Sequence, residues 1–504
     1  MRAEGEGRTR RRGAGGADRR PVNREQPRKG EMKITLAQIK LKTGDFEFNF
    51  ENILRQISSQ AAKQLSDTLV IFPQADLEDL GGKDLVLDEK CRNCQIEFYQ
   101  KIADKNFSQN ILIGDVLIRN GKVEISEDGF YDICGKKVFV SDTFIEDIDC
   151  DLYVLSKNRY FAMNTYKDFV DSIETSCDFV YVNALGLADA NVYAGGSFAK
   201  NSDNNLVLQM PVCEEDIDTI DFSRVVEFED EPMEKQVFAV TTFALKEYCE
   251  NTGFKKVVLG LSGGIDSALT AALAVEALGA ENVFGILMPS MFSSQGSVTD
   301  SLKLAENLGM KTIKEPITPL FDAFMAERER KHDLAEENLQ ARLRGLILMF
   351  YSNRENMLLL STGNKSESAM GFGTLYGDLA GGYNLICDLT KTNVYKLSNY
   401  INRNGEIIPQ AIIDKAPSAE LHPGQKDSDR LPEYDLLDQI IEMYLEQNCP
   451  VEEIYEKFDK SIVDEVVRKI YRFQFKRHQG CLGVRLTERA FCCGVDLPVI
   501  QKFY

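Results

Sequence analysis

One junction constrains the fold of this chain more than any other stretch: KKVVLGLSGGIDSALTAALAVEALG, residues 255–279. A run of strand-forming residues ends at two glycines and an aspartate, and an Ala/Leu-rich run typical of a helix follows at once. Glycines let the backbone turn tightly and approach a ligand closely. A turn that leaves an apolar strand and opens a helix favours a βαβ arrangement in the surrounding chain.

The pattern around this junction supports that arrangement. A predicted helix over 233–252 precedes it and ends at Gly253. The alternation predicts a doubly wound parallel sheet with its active site at the carboxyl ends of the strands. The predicted strands cover 256–261, 283–288, 312–316 and 357–361, and helices over 266–278, 299–308 and 334–352 separate them.

The junction also predicts an anion site. Gly263 and Gly264 permit positive φ, and the free N–H groups at the start of the helix point to one spot. Ser262 and Ser267 add hydroxyl donors. No lysine stands in the GK[ST] position, so the loop is not a Walker A loop. Asp266 stands there instead, and a carboxylate beside phosphates makes sense if Mg²⁺ bridges them. From these residues alone, an ordinary Gly-rich βα turn stays open.

The remaining chain divides by composition. With 504 residues, two domains are favoured. We predict a disordered basic tail over 1–31, which is Arg-rich and almost free of apolar residues, or else a misassigned start. Alternating strands and helices predict an α/β domain over 32–212, with a helix over 49–65 and a strand over 110–119. The acidic stretch 213–232 is interpreted as a linker, and 233–504 forms the second domain.

Composition also excludes several classes of function. The net charge of −20 argues against a nucleic-acid partner, and no apolar run approaches membrane-spanning length. The 12 cysteines are scattered and no export signal is visible, which favours a reducing, cytoplasmic location. Cys91 and Cys94 form a CxxC pair, but no second pair completes a zinc site.

Several motifs in the second half together resemble one family. GLSGGIDS resembles the pyrophosphate loop of the N-type ATP pyrophosphatases, whose fold is similar to that of the adenine nucleotide α-hydrolases. MPSMFSSQGSVTDSLKLAENLG (288–309), STGNKSESAMGFGTLYGDLAGG (361–382), APSAELHPGQKDSD (416–429) and YRFQFKRHQ (471–479) resemble blocks of NAD synthetases. This likeness runs from about Met233 to the C-terminus. It implies ATP-dependent amidation of deamido-NAD.

The resemblance also implies site residues. Asp266 and Glu367 would hold Mg²⁺ between the ATP phosphates. Asn338 and Arg342 lie four residues apart on one predicted helix and so are expected to share a face. The implied deamido-NAD contacts are Asn338, Arg342, Glu367 and Lys476. The implied ATP contacts are Gly260, Leu261, Ser262, Gly263, Gly264, Ile265, Asp266, Ser267, Thr362, Lys391 and Ser418.

The implied reaction has two steps. The nicotinate carboxylate of deamido-NAD attacks the α-phosphate of ATP, which gives an adenylate and pyrophosphate. Ammonia then attacks the adenylate, and NAD⁺ and AMP leave. The family resemblance also implies a homo-oligomer, at least a dimer.

The first half resembles a nitrilase-type amidase, which implies an αββα sandwich. The likeness rests on MKITLAQIKLKTGDFEFNFENI (32–53), LVIFPQADLEDLGGKDLV (69–86) and FVYVNALGLADANVYAGGSFA (179–199). Such amidases use a Glu base, a Lys and a Cys nucleophile to release ammonia from glutamine. Here the base position is Gln74 and the nucleophile position is Ser141, and no matching Lys motif appears. Gln cannot accept a proton as a general base. Cys134 lies nearby but before the strand.

These losses favour a first half that keeps its fold without hydrolysing glutamine, so that the enzyme uses free ammonia. Three alternatives stay open. The first is a glutamine-dependent synthetase with a divergent amidase site. The second is another ATP pyrophosphatase, such as a GMP synthetase or tRNA-thiolating enzyme, and the third is a non-catalytic binding protein.

Overall fold

The computed structural model describes residues 32–58, 68–422 and 424–503. The predicted basic tail, 1–31, and the end of the helix predicted over 49–65 lie outside the described residues. In the first half, three helices flank a set of short strands. The helices are α1 (Phe46–Ile57), α2 (Glu89–Ala103) and α3 (Tyr166–Ser172). The strands are β1 (Lys33–Gln38), β2 (Thr68–Phe72), β3 (Asn110–Ile113), β4 (Val116–Arg119), β5 (Lys122–Ile125), β6 (Phe130–Ile133), β7 (Lys136–Ser141), β8 (Leu152–Leu155), β9 (Asp178–Tyr181), β10 (Leu185–Ala188), β11 (Asn191–Ala194), β12 (Phe198–Lys200), β13 (Leu206–Gln209) and β14 (Asp216–Thr219).

Two six-stranded sheets form the centre of this half. Their strand orders are β14-β1-β2-β3-β4-β5 and β13-β12-β9-β8-β7-β6, and β10 pairs with β11 separately. Apolar side chains of both sheets share one buried core, including Leu36 and Ile71 from one sheet and Val140 and Val154 from the other. Further cores lie beneath the helices on the outer faces. The layers are therefore αββα, as predicted.

Two predicted segments differ in the structure. The apolar run 110–119 is two strands, β3 and β4, because Gly114 adopts φ +60° and turns the chain back on itself. The stretch 213–232, predicted as a linker, contributes β14, which pairs antiparallel with β1. Its side chains lie on a sheet edge and are half-buried or exposed, so no buried face marks this strand in the sequence.

The second half is built on a parallel sheet with the order β17-β16-β15-β18-β19. Separate apolar cores cover its two faces, as a doubly wound fold requires. Its strands are β15 (Val257–Gly260), β16 (Val283–Leu287), β17 (Lys311–Lys314), β18 (Leu358–Ser361) and β19 (Tyr383–Asn384). Its helices are α4 (Met233–Thr252), α5 (Ile265–Leu278), α6 (Gln295–Leu308), α7 (Thr318–Met325), α8 (Leu334–Glu355), α9 (Lys365–Met370), α10 (Lys391–Ile401), α11 (Gln410–Asp414), α12 (Tyr434–Ile441), α13 (Val451–Tyr455), α14 (Lys460–Arg472) and α15 (Gln474–Arg477).

The two halves share a packed boundary. Phe161 and Val192 of the first half are buried in the same apolar core as Val237 of α4. The C-terminal segment returns to the first half, where the Met163 N–H donates to the Leu486 carbonyl at 2.7 Å. Across residues 32–58, 68–422 and 424–503, no helix combines the length and the apolar character needed to span a membrane.

Candidate active site

A cleft of about 540 Å³ opens at the carboxyl ends of β15 and β18. The loop that leaves β15 forms one wall, and α8 with the segment that follows β18 forms the others. Residues 415–421 also line it. Every residue predicted to contact ATP or deamido-NAD lines this cleft except Gly263 and Arg342. Residues far apart in sequence therefore meet at the edge of the sheet that the βαβ pattern predicted.

The loop Gly260–Ser267 has the geometry of an anion cradle. Gly263 adopts φ +78°, and a Cβ there would lie 2.5 Å from the Ser297 carbonyl oxygen. Gly264, in contrast, has extended φ and is the N-cap of α5. Its N–H donates to Ser262 Oγ at 3.2 Å, and Ser267 Oγ donates to its carbonyl at 3.0 Å. Only one of the two glycines thus needs the left-handed region, and the loop presents the N-terminus of α5 to the cleft.

Asp266, on the first turn of α5, anchors a buried charge cluster. Its carboxylate accepts from Asn364 Nδ2 at 2.9 Å and from Lys391 Nζ at 2.5 Å. Lys391 is buried, and its Nζ also lies 3.9 Å from Glu367. Enclosure in the cleft raises the pKa of Glu367 well above its ordinary value, and the Asp266 charge raises it further. The cluster thus holds two carboxylates around one ammonium group.

The segment after β18 positions Thr362 and Glu367. Thr362 directly follows the strand and lines the cleft. Asn364 and Glu367 form a reciprocal capping box at the start of α9, in which the Glu367 N–H donates to Asn364 Oδ1 at 2.9 Å. This cap holds the Glu367 carboxylate in place toward Lys391.

Helix α8 presents a different arginine to the cleft from the one predicted. Asn338 lines the cleft, and its Oδ1 accepts from Thr374 Oγ1 at 2.8 Å. Arg342 is exposed, and its Nε donates to the Leu375 carbonyl at 3.1 Å. Arg344 lines the cleft instead, and burial lowers its pKa to about 10 against the opposing effect of Asp378. Asn338 and Arg342 lie on the same side of α8, since both contact the 374–375 segment, but Arg342 is outside the cleft, whose α8 lining includes 338, 341, 344 and 345.

Lys476 and Ser418 both line the cleft, but their polar atoms already have partners. Lys476 Nζ donates to the carbonyls of Gly371 and Gly373 at 2.7 and 2.6 Å, and burial lowers its pKa. Ser418 Oγ donates to the Gln425 carbonyl at 2.6 Å. Both residues therefore form part of the cleft walls, and Lys476 places a positive charge there.

Four of the unpredicted charged residues in the cleft lie close together in the chain, between 415 and 430. Lys415 Nζ pairs with Glu420 at 2.9 Å, and Glu420 accepts from Ser297 Oγ at 2.8 Å. Their signal in the sequence was the density of charges within KAPSAELHPGQKDSDR (415–430), which overlaps the block 416–429 that resembles NAD synthetases. The four are Lys415, Glu420, Asp427 and Arg430.

The position of the amidase base in the first half is filled by a fully bonded amide. Gln74 Nε2 donates to Asp76 and, at 3.1 Å, to Asp115, whose own N–H donates to Gln74 Oε1 at 3.0 Å. A glutamate at this position would face two carboxylates. Ser141 Oγ donates to the Thr143 carbonyl at 2.7 Å in a local turn. Cys134 lies in the β6–β7 turn, at the other end of β7 from Ser141.

Comparison with known proteins places these observations in context. The family model described as NAD synthase matches residues 237–480. A glutamine-dependent NAD(+) synthetase of Thermotoga maritima is 32% identical over 94% of this chain and 99% of its own. One from Synechocystis sp. is 42% identical over 64% of this chain and 61% of its own. The solved glutamine-dependent NAD+ synthetase of Acinetobacter baumannii, in complex with adenosine diphosphate, superposes with a TM-score of 0.69 at 28% identity, over 93% of this chain and 98% of that one.

Proposed function

The chain belongs to the glutamine-dependent NAD(+) synthetase family and is an NAD⁺ synthase, and from that premise we propose how its residues divide the reaction. ATP is the energy source in this family. In the proposed reaction, ATP and deamido-NAD bind in the cleft of the second half. Deamido-NAD is amidated to NAD⁺, and AMP and pyrophosphate are released. The observation that carries this proposal is the Gly263 turn at the N-terminus of α5 with the Asp266–Lys391 pair beside it.

In the first proposed step, the nicotinate carboxylate attacks the α-phosphate of ATP and pyrophosphate departs. The cradle N–H groups and Ser262 would bind the phosphate oxygens, and Lys391 would stabilise the negative charge that builds up on pyrophosphate. In the second step, ammonia attacks the acyl carbon of the adenylate, the amide forms and AMP leaves. Positioning of the two substrates supplies most of the acceleration, because no side-chain nucleophile is needed.

Deamido-NAD would lie along α8. Asn338, Arg344 and Lys476 line that part of the cleft, and the two cationic side chains suit its phosphates and carboxylate. Arg342 lies at the rim, where it would meet an exposed portion of the substrate. Thr362 and Ser418 would contact ATP from the opposite walls.

Asp266 and Glu367 fit a magnesium ion that arrives with ATP. The described residues contain no cluster of three or more potential metal ligands, so the protein would supply two carboxylates. Mg²⁺ in nucleotide sites usually takes one or two carboxylates, with phosphates and water completing its shell. Burial raises the pKa of Glu367 and the neighbouring Asp266 charge raises it further, and a bound cation would offset both effects. When bound, Mg²⁺ would neutralise charge on the phosphates.

We further propose that the nitrogen comes from free ammonia. Gln74 carries no basic group, and its amide is engaged by Asp76 and Asp115. The Ser141 hydroxyl is held by its own turn. The alternative is a divergent amidase site that still uses glutamine, and the names of the relatives favour that alternative.

A coupled assay decides the nitrogen source. The full chain is given ATP, Mg²⁺ and deamido-NAD with either ammonium chloride or glutamine, and NAD⁺ is measured by an alcohol dehydrogenase reaction. We expect formation with ammonium and, with glutamine, no more than the trace due to contaminating ammonia. Equal rates with both donors would refute the ammonia proposal. Absence of NAD⁺ with either donor would refute the proposed residue assignment.

We also propose that two copies associate through α7 and α8. Leu320 and Phe324 of α7 are 42% and 47% exposed, and Leu346 and Phe350 of α8 are 61% and 48% exposed. Each pair is four residues apart, so each helix carries an apolar stripe. Leu346→Glu with Phe350→Glu should convert a dimer to a monomer in sedimentation velocity, whereas Ile125→Glu, an exposed apolar residue on β5, should not. A wild-type monomer at micromolar concentration would contradict the proposal.

We infer a cytoplasmic location from the sulfur chemistry. None of the 12 cysteines, all of which lie within the described residues, forms a disulfide, which suits a reducing compartment.

A further inference from the structure

The first turn of α10, which carries Lys391, is capped from another helix. The residue before α10, Thr390, makes no side-chain bond to the backbone N–H groups of that helix. The Thr392 N–H donates instead to Asp438 Oδ2 at 2.8 Å. The Lys391 N–H donates to Ser366 Oγ at 2.9 Å, and the Ser366 hydroxyl donates to the other oxygen of Asp438. A helix N-terminus needs such acceptors, and one carboxylate of α12 supplies them here, once directly and once through a serine.

Asp438 itself is buried outside the cleft. It is 4% exposed, and neither Asp438 nor the fully buried Ser366 lines the cleft. Burial raises the pKa of Asp438, whereas the bonds from Ser366 and Thr392 oppose that rise. A buried carboxylate is costly unless its oxygens are bonded, and both oxygens of Asp438 are bonded to α9 and α10, the helices that carry Glu367 and Lys391. Any effect of Asp438 on the reaction therefore passes through the residues that it holds.

Ser366 lies between two residues that are themselves held in place. Its neighbour Lys365 is fully buried, and Lys365 Nζ lies 2.8 Å from Asp388. On the other side, Glu367 belongs to the capping box of α9 and lies 3.9 Å from Lys391 Nζ. Because α9 is anchored on both sides of Ser366, the Ser366 hydroxyl gives the backbone of residue 391 a fixed partner.

Lys391 is the first residue of α10, so the capped turn determines where its side chain begins. Its Nζ lies in the cleft, 2.5 Å from Asp266, and the residue is otherwise buried. We propose that Asp438 is a positioning residue for the first step of the reaction: through Ser366 and the first turn of α10, it holds the Lys391 ammonium group where pyrophosphate departs. The inference rests on the proposed function, which gives Lys391 that role.

Asp438→Asn tests the proposal, because the amide has the same shape but accepts at only one of its two polar atoms. Pyrophosphate release by the full chain is measured with ATP, Mg²⁺, deamido-NAD and saturating ammonium chloride, and thermal unfolding is measured in parallel. We expect kcat to fall at least about tenfold, since small displacements of a group at the reacting atoms are that costly. The KM values for ATP and deamido-NAD should change less than about threefold, because the charge on pyrophosphate develops only in the transition state.

Ser366→Ala keeps the test decisive if Asp438→Asn does not fold. It removes the hydroxyl that joins Asp438 to the Lys391 N–H and leaves the bond from Thr392 in place, so kcat should fall several-fold with KM retained. The double variant Asp438→Asn/Ser366→Ala should be within about twofold of Asp438→Asn, because two residues that act through one contact are not additive. Asp435→Asn is the matched control, since it makes the same substitution at an exposed position of α12. It should behave like the wild type.

Two results would overturn this inference alone. The first is an unchanged kcat in Asp438→Asn and Ser366→Ala with only a lower Tm, which would leave Asp438 a stabilising role and no other. The second is a raised KM for ATP at unchanged kcat, because the network would then serve the binding of ATP and not the departure of pyrophosphate. A wild-type protein that releases no pyrophosphate from ATP and deamido-NAD would instead refute the proposed function, and this inference with it.

Discussion

Asp266 is the residue at which the phosphate cradle and the buried charge cluster meet. Its carboxylate binds Lys391 Nζ at 2.5 Å, and the same group is the proposed magnesium ligand. We predict that Asp266→Asn lowers kcat/KM for ATP at least about a hundredfold, because a preorganised charge at the reacting phosphates is worth that much. The amide preserves the shape and accepts from Asn364 as before. Glu276→Gln, an exposed charge loss on the same helix, should stay within twofold. If Asp266→Asn retained a third of the activity, the assigned role would be wrong.

Gln74 shows why restoring the amidase base is more than a one-residue change. We predict that Gln74→Glu lowers the free energy of unfolding by about 2–3 kcal/mol at pH 8, since two charge-assisted hydrogen bonds become contacts between like charges. Asp76 and Asp115 would raise the pKa of the new carboxyl above its unfolded value. A raised carboxyl pKa stabilises the fold when protonated, and that stability is lost as pH rises through the folded pKa. The defect should therefore shrink at pH 5, in urea unfolding.

Gln100→Glu provides the matched control for this change. Gln100 is exposed and donates its amide to Asp104 at 2.8 Å, so the same substitution occurs beside one solvated carboxylate. We expect a loss below about 0.5 kcal/mol there. If Gln74→Glu were as stable as the wild type at pH 8, the carboxylates of Asp76 and Asp115 would lie farther from the residue-74 side chain in solution than in the structure.

The position of a cleft residue could be predicted where a motif specifies both the backbone conformation and the chemical role of the side chain. Asp266 follows the glycines of the turn after β15, and Thr362 follows β18, which lies beside β15 in the parallel sheet. Both residues therefore had to lie at the same edge of the sheet. Arg344 escaped prediction because Arg342 stands two residues away on the same helix. The choice between them depends on how α8 is rotated against the sheet, which its polar pattern alone does not determine.

At the scale of elements, the β15–α5 turn depends on one left-handed backbone position. A Cβ at Gly263 would lie 2.5 Å from the Ser297 carbonyl oxygen and 2.6 Å from Ser297 Cα. We predict that Gly263→Ala lowers kcat/KM for ATP at least about tenfold and stability by about 1–3 kcal/mol, because both strain and a backbone clash must be relieved. The readouts are steady-state kinetics and thermal unfolding.

Gly253→Ala separates these two causes. Gly253 also has positive φ, at +82°, but nothing lies within 4 Å of the added Cβ. Only the left-handed penalty of about 1–2 kcal/mol should remain, with unchanged kinetics. If both variants showed the same kinetics, close packing of the loop against α6 would not matter for ATP.

Elements were predictable where one face is buried. The ends of β15, β16 and α5 lie within one residue of the predicted ranges 256–261, 283–288 and 266–278, because apolar runs and the glycine turn define them. β14 was missed since it is short, acidic and lies at a sheet edge, so its pairing with β1 is a tertiary contact without a local signal. The β3–β4 turn was hidden by the apolar runs on both sides of the pair Gly114–Asp115.

At the scale of the whole molecule, a partly buried ion pair joins the halves. Lys40 follows β1, and its Nζ contacts Glu247 of α4 and, at 2.8 Å, Glu250. Glu247 is 1% exposed. No sequence pattern predicts this contact, because the two residues belong to different domains and each is unremarkable in its own element. Because the pair forms only when the two halves are in contact, breaking it should lower the stability of the whole protein.

We predict that Lys40→Met destabilises the protein by about 3 kcal/mol at pH 8, because it leaves Glu247 buried without its cation. Burial already raises the pKa of Glu247, and Lys40 opposes that rise. Without Lys40 the folded-state pKa rises further above the unfolded value. A carboxyl with a raised pKa loses its stabilising contribution as pH rises through that pKa. The gap in Tm between Lys40→Met and the wild type should therefore be small near pH 5 and widen toward pH 8.

The double variant Lys40→Met/Glu247→Met distinguishes the ion pair from simple packing. Replacing both charges with apolar side chains of similar length removes the uncompensated carboxylate, and such replacements are often neutral in free energy. Most of the lost stability should return, and the pH dependence should disappear. Lys246→Met, on the exposed side of the same helix, should change Tm little at either pH. If the double variant were less stable than Lys40→Met, the charges would contribute net stability, and the halves would be joined by electrostatics more than by their shared apolar core.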